Sequence, residues 1–204
     1  MDEYVDDVLK ALKAVEGGAD PEKVIRALSW SGMEEFVATA CSMSGFRCVR
    51  DLRLKAGRRR AQIDVVAATP TLCMVIDCKR WKKPLAGKTL ASNIHKSVER
   101  TKLLADTLDR LFPGEGLVFF TPVILALYST ATQPVSGVFV LPATALIGLL
   151  KKPEELLHGA FVSKKLSPKW LGFFESYNLN QGRTVKTQFG QALGALENEL
   201  HKDS

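Results

Sequence analysis

Residues 58–83 read RRRAQIDVVAATPTLCMVIDCKRWKK, and this stretch decides the fold. Val65-Val66 and Met74-Val75-Ile76 have the β-branched and apolar character of strand interiors, and Ala68-Thr69-Pro70-Thr71 between them has the composition of a turn. A β-hairpin is therefore predicted, with Asp64 on one strand and Asp77 on the other. Side chains alternate faces along a strand, so Asp77 and Lys79 point one way and Cys78 the other. A carboxylate and an ammonium then share one surface at a strand end, and a second carboxylate arrives from the neighbouring strand. Such a grouping can hold a hard cation beside a water.

Working outward, the chain changes period at Gly45. Before it, Val5, Val8, Leu9, Leu12 and Val15 mark an amphipathic helix that stops at Gly17-Gly18, and Asp20-Pro21-Glu22 restarts a second with Asp20 as N-cap. Ser29-Trp30-Ser31-Gly32 interrupts the pattern, and residues 33–43 (MEEFVATACSM) form a third helical stretch that Gly45 suits as a left-handed C-cap. After Gly45, residues 46–55 alternate as a strand, a basic turn AGRRR follows, and residues 61–68 and 72–79 complete a three-stranded meander. A helix is predicted from Ser92 to Leu111, stopped by Pro113-Gly114. The apolar runs 117–128 and 138–141 suit strands buried on both faces, with a short helix over 143–150. The expected class is α/β (α+β), an αβββαβ core with a mixed central sheet flanked by helices. Residues 1–30 read as an N-terminal helical extension and 31–150 as the core. Residues 151–204, with Trp170, Phe173, Phe174 and Tyr177, read as a C-terminal extension or helical subdomain.

Composition places few limits on this reading, but charge does. Of 204 residues, 46% are apolar and 25% charged, as expected of a globular chain of one domain or one with a small appendage. The net charge of +6 is unevenly spread: between Arg47 and Lys102 lie 15 Lys or Arg against four acids, whereas the remainder carries 13 basic and 18 acidic residues. That asymmetry is the footprint of a polyanion-binding face. Cys41, Cys48, Cys73 and Cys78 form no CxxC and have no nearby His, so they read as reduced thiols of a cytoplasmic protein, with neither a disulfide frame nor a zinc site. The acidic N-terminus is no signal peptide, and no apolar run reaches the ~18 residues of a membrane span.

With this element order and with Glu34, Asp64, Asp77 and Lys79 placed along it, the chain resembles the PD-(D/E)xK nuclease superfamily. Ile63-Asp64 matches the first half-motif, with isoleucine in place of its proline, and Asp77-Cys78-Lys79 matches the second. Met33-Glu34-Glu35-Phe36-Val37 followed by Gly45-Phe46 is similar to the first-helix segment of type IV restriction enzymes and archaeal-type Holliday-junction resolvases, which makes Glu34 the family glutamate in preference to Glu35. The resemblance spans residues 33–150. It implies a restriction-endonuclease-like fold and a metal-dependent DNA endonuclease acting in repair, recombination or restriction.

The chemistry implied is hydrolysis of a phosphodiester. Asp64, Asp77, the backbone carbonyl of Cys78 and Glu34 are the expected ligands of Mg2+, or of Mn2+ in its place. Glu34, Asp64, Asp77 and Lys79 form the catalytic set, Lys79 orienting the attacking water or stabilising developing charge. Arg58, Arg59, Arg60, Arg80, Lys82, Lys83, Lys96 and Arg100 are expected to contact nucleic acid, DNA first and RNA as an open alternative. A homodimer is compatible with cutting two strands. Each residue also has a plainer reading. Ser31-Gly32-Met33-Glu34 fits a capping box in which Glu34 bonds back to the helix start. Asp77 and Lys79 fit an ion pair on an edge strand, and the arginines fit a solvated hairpin tip. The alternative function is a catalytically inactive nucleic-acid-binding or scaffold protein that keeps the nuclease fold.

Overall fold

The computed structural model describes residues 3–56, 58–80, 86–127, 134–159 and 161–179. Three helices open the chain: α1 (Glu3–Glu16), α2 (Pro21–Ala27) and α3 (Trp30–Met43). They lead into β1 (Arg47–Ala56), β2 (Arg59–Ala68) and β3 (Leu72–Lys79). The long helix α4 (Gly87–Leu111) crosses to β4 (Pro113–Ala126), followed by β5 (Phe139–Pro142), α5 (Leu146–Leu150), β6 (Val162–Leu166) and α6 (Gly172–Leu179).

The sheet runs β1-β2-β3-β4-β5, with β6 also on β4. β1, β2 and β3 pair antiparallel as a meander, and β3, β4 and β5 pair parallel. This is the mixed central sheet expected, entered by the predicted αβββαβ order. β4 is long enough to share one edge: β6 takes Pro113–Phe120 and β5 takes Val123–Ala126. The turn into β3 is held by its own threonine, whose N–H donates to the Leu72 carbonyl while Thr69 Oγ1 accepts from the Leu72 N–H.

The alternation of strand side chains fills two layers. Met74, Ile76 and Cys78 of β3 pack with Val8, Leu12, Ile25, Phe36 and Leu146 from α1, α2, α3 and α5. Cys73 and Val75 face the other way, with Leu104 and Leu108 of α4 and Trp170 and Phe174 from the α6 end. At the end of α3 the expected left-handed glycine is present. Gly45 has φ +87°, its N–H reaches the Ser42 carbonyl and that of Phe46 the Cys41 carbonyl, a Schellman closure that turns the chain into β1.

The starts of three elements are corrected. Helix α3 starts at Trp30, because Ser29 caps it: Ser29 Oγ accepts from the Gly32 N–H at 3.0 Å. Helix α4 starts at Gly87 and β4 at Pro113, each several residues before the sequence suggested, since tertiary packing overrides weak local signals. The segment after Lys151 adds a strand to the central sheet, and its aromatic cluster closes one layer of the core. Trp170 and Phe174 meet edge to face with ring centroids 5.6 Å apart.

Candidate active site

The candidate site lies where β2 and β3 part. The two strands pair from Ala68↔Cys73 to Val65↔Ile76, and the next opposed positions are Asp64 and Asp77. There the ladder gives way to a side chain: the Cys78 backbone N–H donates to Asp64 Oδ2 at 2.8 Å. Asp64 thus satisfies an amide at the apex of the splay, which explains how an aspartate is accommodated inside an otherwise apolar strand.

Asp77 is only 4% exposed. Lys79 Nζ donates to its Oδ1 at 2.8 Å, and Arg100 Nη1, from α4, donates to the same oxygen at 3.0 Å. Its Oδ2 is buried with no hydrogen-bond partner. The Asp77–Lys79 pair does form, but on a central strand rather than on the edge that the plainer reading supposed.

Burial and the adjacent Asp77 charge push the Asp64 carboxyl up to about 7, against the lowering effect of the Cys78 amide; Glu34 adds further negative charge. Burial also raises the Glu34 carboxyl, opposed by the Trp30 hydrogen bond and by Arg50. The charges of Asp51 and Asp77 act on Glu34 as well, so the carboxylates form one electrostatic group.

Glu34 is not a capping residue, because the cap belongs to Ser29. One turn further in, its Oε1 accepts from Trp30 Nε1 at 2.6 Å. The neighbouring Glu35 pairs with Arg50 of β1 at 2.7 Å. Two contributors escaped the sequence reading. Trp30 is detectable as the i−4 neighbour of Glu34 once the helix start is known. Asp51, opposite Asp64 in the β1–β2 register, gave no sequence signal: it has φ +48°, an uncommon conformation for a non-glycine residue. Its carboxylate accepts from Gln62 Nε2 at 2.6 Å and Arg53 Nη2 at 3.0 Å, and its carbonyl accepts from Tyr177 Oη at 3.0 Å.

The predicted cations divide. Arg100 reaches Asp77, whereas Lys96, one turn earlier on α4, is exposed. Arg80 turns toward α2, where its Nη2 donates to the Arg26 carbonyl at 2.9 Å, so it braces the end of β3. Arg58, Arg59 and Arg60 are exposed around the start of β2. Lys82 and Lys83 lie outside the described residues.

Among the described residues no three His, Cys, Asp or Glu side chains converge as a ready metal cage. The Asp64–Asp77 pair remains the donor set that fits a cation: a half-buried and a buried carboxylate repel each other, and the buried one keeps an unpartnered oxygen. Two carboxylates suffice for magnesium, which retains most of its waters.

Residues 29–125 match the family model of the nuclease-related domain. The match covers just under half of the chain. Neither the curated proteins nor the solved structures include a match. The matched segment runs from the cap of α3 into β4 and contains Glu34, Asp64, Asp77, Lys79 and Arg100. It is consistent with the PD-(D/E)xK superfamily and with the mixed six-stranded fold described above. No helix among the described residues is long and apolar enough to cross a membrane.

Proposed function

We propose that the protein is a magnesium-dependent deoxyribonuclease that hydrolyses phosphodiester bonds at the β2–β3 splay. The observation that supports this most directly is Asp77, a buried carboxylate with one oxygen held by Lys79 and Arg100 and the other without a partner. Asp64 and Asp77 would hold the cation, with the Cys78 carbonyl and, by way of water, Glu34. Bound there, a divalent cation supplies charge to the phosphate and lowers the pKa of a bound water.

The rest falls to the side chains. Asp77 fixes the ammonium of Lys79 and the guanidinium of Arg100, so two cationic donors stand ready where negative charge develops on the phosphate, without reorganisation during reaction. The Cys78 amide holds Asp64 Oδ2, which orients that carboxylate. Trp30 fixes Glu34 in the same way. Nucleic-acid contact would come from the exposed arginines beside the site.

The test is cleavage of duplex, nicked and branched DNA with magnesium or manganese by the parent protein and by Asp77→Asn, which preserves shape. Loss of at least ~100-fold in the variant is expected, in line with removal of a preorganised charge. Equal cleavage by the two proteins would refute the assignment. Thermal melts with manganese distinguish an inactive scaffold: an ion that binds only the folded state raises the midpoint. An upward shift in the parent, absent in Asp64→Ala, is expected.

A further inference from the structure

The β1–β2 hairpin continues past the site. β2 pairs with β3 only over Val65–Ala68, whereas its pairing with β1 runs on through Ile63, Gln62, Ala61, Arg60 and Arg59. The result is a two-stranded arm, about five residues or ~17 Å long, that begins one residue from Asp64.

The two faces of this arm differ. Opposed residues in an antiparallel pair share a face, so the register Arg53↔Gln62 and Lys55↔Arg60 puts these four together. All four are exposed, Arg53 with 63% of its side chain open to solvent. The opposite face carries Leu52, Leu54 and Ile63, each buried in the layer under α4 and α6. The arm is therefore backed by the core and cannot rotate its cationic face away. Between Leu52 and Ile63 there are five Lys or Arg and no acid. Asp51 at the base holds both Arg53 and Gln62, which fixes one row of the grid.

We propose that this arm enters the major groove of duplex DNA, with Arg53, Lys55, Arg60 and Gln62 facing the groove and Arg58 and Arg59 against the flanking phosphates. The inference rests on the nuclease reading above and names its substrate class. Three physical arguments favour B-form duplex. The major groove of B-DNA, about 12 Å wide, admits a two-stranded ribbon. The major groove of an RNA duplex is too deep and narrow for one. Single strands are gripped by stacking on aromatic rings, and this face carries none. Arg60 lies four residues from Asp64, ~13 Å along the strand and so about four base pairs at 3.4 Å each. One short duplex spans both arm and site.

The experiment is fluorescence anisotropy with a labelled DNA duplex, its single strand and an RNA duplex of the same sequence. Asp77→Asn serves as the parent, without divalent metal so that nothing is cut. The DNA duplex is expected to bind tightest. Adding Lys55→Gln and Arg60→Gln, which removes two groove-facing cations, should weaken duplex binding by roughly tenfold. Both positions are exposed, so the melting midpoint should not move. Lys165→Gln, at the opposite end of the sheet on β6, should leave binding unchanged. Equal duplex affinity in the arm variant, or tighter binding of the single strand or the RNA duplex, overturns the inference. Cleavage is scored separately with Asp77 intact. A protein that binds duplex through the arm yet never cuts refutes the nuclease reading and leaves the arm standing. A protein that cuts, with arm-variant cleavage undiminished at limiting DNA, refutes the arm alone.

Discussion

At Asp64, burial and the Asp77 charge act in one direction, and the consequence is a stability that depends on pH. The folded carboxyl titrates near 7, whereas in the unfolded chain it titrates near its ordinary value of 3.8. Between those values the folded protein binds the extra proton, so without metal its stability falls as pH rises through the window and levels off above it. Glu34, also raised, contributes with the same sign. The Asp64→Asn variant keeps an oxygen to accept the Cys78 N–H but has no charge to bury. It should match the parent near pH 4 and exceed it at pH 8 by about 2 kcal/mol, a figure already reduced for the partial exposure of Asp64. Metal-free urea melts at the two pH values check this. Parallel curves for the two proteins would show that the pair is not under electrostatic strain.

The elements explain why these side chains meet. The hairpin opposes Asp64 and Asp77 by register, and the crossover helix α4 adds Arg100 from 23 positions further along the chain. Helix α3 brings Glu34, and where this helix begins decides the role of that residue. With Ser29 as cap, Ser29→Ala should cost about 1 kcal/mol of stability, while Ser31→Ala, inside the first turn, should cost at most a few tenths. A capping box at Ser31 would reverse that order, so thermal melts of the two variants separate the arrangements. The kink in β1 belongs to this scale too. Tyr177 of α6 accepts from the Arg53 N–H at 3.2 Å and donates to the Asp51 carbonyl, bridging the left-handed residue that faces Asp64.

For the molecule as a whole, the decisive contact lies far from the site, where the segment after α5 returns to the sheet. β6 joins β4 beside a closely packed corner. A Cβ at Gly114 would stand 2.2 Å from the Ser167 nitrogen and 2.5 Å from the Leu166 carbonyl carbon, both backbone atoms. Gly114→Ala should therefore destabilise by about 3 kcal/mol, since the strands must separate to admit a methyl group. Gly148, exposed in α5 with open space around it, provides the comparison: Gly148→Ala should be neutral or stabilise by up to ~1 kcal/mol. Equal melting midpoints for the two variants would mean that β6 does not depend on that close approach. The same packing carries Trp170 and Phe174 into the layer beneath α4, so residues 162–179 help to hold the elements that carry Arg100 and Asp77.

By itself, the sequence determined the features written in short-range chemistry. The β-branched runs around Thr69-Pro70 set the hairpin, and an aspartate inside each run marked the pair. The two-residue spacing put Asp77 and Lys79 on one face, and Gly45 ended α3. These depend on backbone preference and on alternation, which act over a few residues. The tertiary structure alone decided which of two serines caps α3, that Arg100 rather than Lys96 reaches Asp77, that Arg80 turns to Arg26, and that Asp51 bends opposite Asp64. It also decided that residues 162–166 extend the central sheet. Each of these is a choice among chemically equivalent partners, and distance in the folded chain settles such choices, which local propensity does not encode.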